Sequence, residues 1–137
     1  MGLDRTEPTG AQTAERRLAS VPTAYSLQLE IANAVVRANK DLFGRGPTKS
    51  RVIIQGDIVV CVLADCLTTA ERTLVNNGHL EVVARLRNQM QGVARPKLTS
   101  IVEGLTGQRV VACTTGIDLQ AGEHVVTFRL DGPVTRA

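Results

Sequence analysis

Aromatic side chains are scarce: Tyr25, Phe43 and Phe128 are all the chain has, and tryptophan is absent. A sheet that stacks nucleobases needs an aromatic platform interleaved with basic residues. None of the three stands in such a pattern, which argues against nucleic acid as a partner. The net charge of +3 is mild and is not gathered into a basic tail. Long apolar runs are missing as well. The longest, Ile58 to Ala64, is seven residues, far short of the ~20 that span a bilayer as a helix. Direct membrane insertion is therefore not expected. The chain starts with Asp4, Glu7 and Pro8, with no apolar core behind a basic start, so a cytoplasmic location is expected.

Cysteine is sparse too. Cys61, Cys66 and Cys113 cannot all pair within one chain, and a reducing compartment disfavours disulfides. Two of them fall in predicted strands, as small buried apolar groups. They form no close pair of the zinc type. His79 and His124 lie far apart, next to Gly78 and Glu123, positions that read as exposed. No metal and no cofactor are expected. There is no Gly-x-Ser-x-Gly elbow, and neither histidine stands near a nucleophile and a carboxylate. Asp57, Asp65, Glu71 and Asp118 fall at turns or caps, where a structural job suffices. No catalytic residue is assigned, and the chain is not expected to be an enzyme.

What is there is a folding pattern. Residues 1–21 mix Thr, Gly, Pro and alternating charges and read as a flexible extension, with a short helix near Ala14 to Ala19. Leu27, Ile31, Ala34, Val35, Ala38 and Leu42 then recur at steps of three and four, one face of an amphipathic helix. Gly44 stops it and Pro47 keeps it from resuming. Two runs rich in β-branched residues follow, Arg51 to Ile54 and Ile58 to Leu63, around Gln55-Gly56-Asp57, a hairpin signal.

Thr68-x-x-Glu71 is a capping box for a helix, broken at Asn76-Asn77-Gly78. A longer helix is predicted from about His79 to Leu105, burying Val83, Leu86, Met90, Val93, Ile101 and Leu105. Gly92 and Pro96 predict a kink or a split within it, and Arg85 and Arg87 fall on its predicted wet face. After Thr106-Gly107, Gln108 to Thr115 and His124 to Leu130 form a second strand pair. Both halves run helix, glycine stop, strand, turn, strand, which suggests an α-β-β duplication with extra helix in the second copy. The expected fold is α+β: a four-stranded, largely antiparallel sheet built from two hairpins, with helices packed on one face.

One loop is a candidate ligand site. Gly44, Arg45, Gly46, Lys49 and Arg51 combine exposed backbone amides with three cations able to pair with an anion. The loop lacks the Gly-Lys-Ser/Thr ending and the following helix of a P-loop. A helix stop and turn with solvated charges accounts for the same residues.

The ordered set Gly44 to Pro47, Gly56-Asp57, Leu67 to Leu74, Arg85 to Arg87, Leu105 to Val110, Asp118 and Val126 to Leu130 resembles the MpsC-like family across about residues 22–131. A flexible tail is expected at 132–137. The family takes its name from a sodium-translocating, membrane-potential-generating system, linked elsewhere to inorganic-carbon uptake. The resemblance implies a small soluble accessory protein beside a membrane transport complex, and brings no catalytic residues with it. Where many relatives have Val-Leu-Thr-Pro, this chain has Cys66-Leu67-Thr68-Thr69, which leaves the cap intact. The primary expectation is an interaction module, the alternative a small-ligand or anion sensor using Gly44 to Arg51. A homodimer is also expected. The first hairpin is apolar on both faces, the two main helices cover one, and Val59 and Val60 are candidates for the interface.

Overall fold

A computed structural model describes residues 24–134; the extension predicted over 1–21 lies outside the described residues, as do 135–137. The elements are α1 (Ala24–Phe43), β1 (Lys49–Gln55), β2 (Ile58–Ala64), α2 (Thr69–Asn76), α3 (Leu80–Thr106), β3 (Val110–Asp118) and β4 (Glu123–Leu130). The strands form one antiparallel sheet in the order β1-β2-β4-β3. Each hairpin is local, so no crossover is needed, and the expected α+β fold is the one observed.

The order β1-β2-β4-β3 is what two α-β-β units give when their second strands pair in the middle. The two long helices end by the same device. Gly44 (φ +79°) and Gly107 (φ +73°) take the left-handed conformation that side chains resist. Their N–H groups donate to the Lys40 and Glu103 carbonyls at 2.8 and 2.9 Å, closing the last turn. Edge strands leave backbone amides unpaired, and each half covers one from its own helix. The Ile54 N–H donates to Gln28 Oε1 at 3.0 Å, and the Val110 N–H to Glu103 Oε2 at 2.8 Å.

Alternation along the strands separates two faces. Val52, Val59, Cys61, Leu63, Val126, Phe128 and Leu130 are buried and pack with Leu27, Ile31 and Val35 of α1 and Ala94, Leu98 and Val102 of α3. Val59 therefore points into the core with no exposure at all and is unavailable to a partner, contrary to its candidacy for an interface; Val60, its neighbour, lies on the opposite face. That outer face keeps Ile53 and Ile58 at 43% and 38% exposure.

α2 begins as the sequence indicated. The Glu71 N–H donates to the Thr68 hydroxyl and the Thr68 N–H to Glu71 Oε1, a complete capping box. It ends with the Gly78 N–H on the Val75 carbonyl and the His79 N–H on the Leu74 carbonyl, the paired bonds that finish a helix before a sharp turn. α3 is one continuous helix with Pro96 inside it, not the split that Gly92 and Pro96 suggested. Proline removes the N–H that the Gly92 carbonyl would accept. Both residues are exposed, so water can take that carbonyl and the helix runs on.

The buried stripe of α3 is Val83, Arg87, Ala94, Leu98, Val102 and Thr106. Leu86 and Val93, expected inside, are 46% and 58% exposed. Near the end of the described residues, the Val134 N–H donates to the Gly56 carbonyl at 2.9 Å, and its side chain packs on the core. The start of the predicted tail at 132–134 is thus held along the first hairpin's turn.

Candidate functional site

Two charged arrangements stand out, and both tie other elements to the bend between β2 and α2. The first is the basic loop. Arg45 reaches across to the bend after β2, where Nη1 donates to the carbonyls of Asp65 (2.9 Å) and Leu67 (2.5 Å). Nη2 meets Asp65 Oδ2 at 2.8 Å. Asp65 sits at φ +55°, a conformation that aspartate tolerates better than most residues. The hydrogen bond from Arg45 holds its carboxyl below the usual range. A cleft-lining guanidinium would leave its fork free for an anion; this one is engaged by the chain's own oxygens.

The other loop residues are placed apart from it. Gly46 lies against α1, where an added side chain would meet the Val36 carbonyl at 3.3 Å. Lys49 and Arg51 are exposed on β1. They border a surface depression of ≈ 570 Å³ with Thr48, Ser50, Val62 and Ala64. The loop does not bring its three cations to one point.

The second arrangement is buried. Arg87 of α3, placed by its helical register among apolar neighbours, is 2% exposed. Its Nε and Nη2 donate to the two Glu71 carboxylate oxygens at 2.8 and 2.6 Å, and Nη2 also reaches the Cys66 carbonyl at 2.9 Å. The guanidinium carbon lies 4.1 Å from the centre of the Phe43 ring, a cation–π contact in a desolvated setting. Burial pushes the Glu71 carboxyl up, but Arg87 and the Thr68 N–H outweigh it and hold it below the ordinary carboxylate range.

His124 at the start of β4 is 3% exposed, not at the surface as its neighbour Glu123 suggested. Burial, with the nearby charge of Arg87, lowers its pKa to about 4. Neither ring nitrogen has a hydrogen-bond partner among the described residues, nor does Arg87 Nη1.

This cluster joins the end of α1, the β2–α2 bend, α2, α3 and β4. Glu71 appeared in the sequence only as half of a cap, and Arg87 only as a wet-face cation. The spacing Val83, Arg87, Ala94, Leu98, Val102 was the signal that places Arg87 inside. The pair commits Nε and Nη2 of Arg87 to oxygens of the chain itself.

The thiols follow the same logic. Burial pushes Cys61 up to about 12, with Cys113 adding to it, and raises Cys66 and Cys113 as well. A protonated thiol is a poor nucleophile and a poor metal ligand. No group of His, Cys, Asp and Glu among the described residues is arranged to hold a metal. Nor is any described helix long and apolar enough to cross a membrane.

Comparison with known proteins adds a family. The family model described as "Na+-translocating membrane potential-generating system (MpsC)" matches residues 23–132. An uncharacterized Bacillus subtilis (strain 168) protein, YbcI, is 27% identical over 107 residues, which cover 77% of this chain and 86% of YbcI. No solved structure matches the chain.

Proposed function

The chain belongs to the MpsC family, and from that premise we propose that it is a non-enzymatic accessory protein of a Na+-translocating membrane system, acting on its cytoplasmic side by binding a protein partner. The observation that carries the reading is the family match across the whole described domain. The architecture supports an accessory part. Ion movement through a bilayer needs a lined path, whereas this domain is an open sheet with edges at β1 and β3. Its charge pairs support a binding role over catalysis, since Arg87 and Glu71 close on one another in the interior and Arg45 on Asp65 at the surface.

The test is genetic and biophysical. Deleting the gene should lower the Na+-dependent membrane potential of energised vesicles, read with a voltage-sensitive dye, and resupplying the wild-type chain should restore it. An unchanged Na+-dependent potential in the deletion would overturn the reading.

A second reading, an anion sensor at Gly44 to Arg51, draws on the exposed Lys49 and Arg51 beside their depression. The engagement of Arg45 by Asp65 weighs against it.

A further inference from the structure

The outer face of the sheet lies opposite the shared core and keeps Ile53 and Ile58 exposed. We propose that a second copy of this chain covers it, face to face, about a twofold axis running along the strands between β2 and β4. The inference stands independently of the membrane system proposed above.

Two gradients across the face support it. The first is size. Where β1 presents Arg51 and Ile53, the same rows end on β3 at Gly116 and Thr114. A side chain added at Gly116 would meet nothing within 4 Å, so that edge is hollow. The second is charge. Lys49 and Arg51 lie on β1, whereas Asp118 and Glu123 lie opposite each other on β3 and β4 at the same end of the sheet.

A twofold axis along the strands lays β1 of one copy over β3 of the other, at the same height. Bulky residues then fall over the hollow, and cations over carboxylates, twice by symmetry. Val60 and Val62, half-buried in one copy, meet Thr127 and Val125 of the other at the centre. Sheets packed this way lie ~10 Å apart, a spacing that such side chains fill. The face, four strands by about seven residues, covers roughly 450 Å² per copy. That lies at the weak end of specific interfaces, which average about 800 Å² per partner, so the dimer should depend on concentration.

Light scattering on the full chain at low ionic strength tests this. The mass should rise with concentration to twice the 14.7 kDa of one chain. Gly116→Tyr fills the hollow from a position whose added Cβ meets no neighbour within 4 Å, and should weaken dimerisation at least tenfold, with an unchanged far-ultraviolet spectrum. The charge gradient gives an independent arm. Lys49→Glu/Arg51→Glu and Glu123→Arg should each dimerise poorly alone, and an equimolar mixture of the two should recover the dimer. A mass of one chain at every concentration would overturn the proposal, whatever else covers the face. So would a Gly116→Tyr protein that dimerises like wild type. Should that variant not fold, a charge-reversal mixture no heavier than its components would overturn it as well.

Discussion

The two α-β-β halves solve the same problems alike on the inside and differently on the outside. Each stops its helix with a left-handed glycine, Gly44 or Gly107, and each quiets its edge strand with a polar side chain from that helix. Their inner faces share one core. On the outer face, the first half shows Arg51, Ile53, Ile58 and Val60, the second Thr114, Gly116, Thr127 and Arg129. Folding constrains only the shared side. The outer residues are therefore where the two halves are free to differ.

The second half also holds something the first lacks: α2 ahead of its long helix, and a helix of 27 residues against 20. The added turns of α3 carry Arg87 into the Glu71 carboxylate. If that pair pins the insertion, Arg87→Met should cost the most of any change considered, ~3–5 kcal/mol, because it strands a buried carboxylate. Urea unfolding reads it. Adding Glu71→Gln should return part of the loss, since the stranded charge is then gone. A loss under about 1 kcal/mol would show that the insertion is held by apolar contacts alone.

Most of the fold was legible because it rests on local signals: stripes at helical spacing, Gly56-Asp57 between β-branched runs, and a capping box whose partners lie three residues apart. The α3 stripe is out of phase with the apolar pattern because Leu86 and Val93 are apolar and Arg87 is not. Hydrophobicity alone puts an arginine outside unless its partner is known, and Glu71 lies 16 residues away on another helix. His124 differs from its expected exposure for a related reason: the β alternation that buries Val126 and Phe128 also buries His124, and a polar residue type hides the phase. In the basic loop, the charges were plain but not their use, since Asp65 meets Arg45 only after the hairpin has folded back.

His124 belongs to the same cluster and gives the next largest effect. Its folded pKa is about 4, against 6.5 for an ordinary histidine. The unfolded chain therefore binds a proton as pH falls through 6.5, while the folded chain stays neutral until about 4. Stability is complete above about pH 7 and falls across this window, by roughly 3 kcal/mol at its lower end. Urea midpoints at pH 7.5 and 4.5 should differ accordingly, and His124→Leu should flatten most of the difference. A variant as acid-sensitive as wild type would place the proton uptake elsewhere.

The shared glycine caps give a smaller effect and the most direct test of likeness between the halves. Gly44→Ala and Gly107→Ala each force a side chain into a left-handed conformation, at a cost of about 1–2 kcal/mol. Neither position has a neighbour within 4 Å of the added carbon, so the two losses should agree to within about 0.5 kcal/mol when measured in the same urea series. Unequal losses would mean that one helix end relaxes where the other cannot, and the symmetry of the halves would be a matter of outline only.

The smallest effect is expected at the basic loop, Gly44 to Arg51. Three cations beside two glycines suggest an anion site, yet Arg45 donates to two carbonyls and a carboxylate of its own chain. An incoming phosphate would have to displace all three at once. Lys49 and Arg51 are exposed, where a lone ion pair is worth about 0–1 kcal/mol and is screened by salt. Phosphate should therefore raise the melting temperature no further than chloride at matched ionic strength, for wild type and for Lys49→Gln/Arg51→Gln alike. Should phosphate stabilise wild type by several degrees more, and that increment vanish in the double variant, the first half would carry a ligand site that the second half lacks.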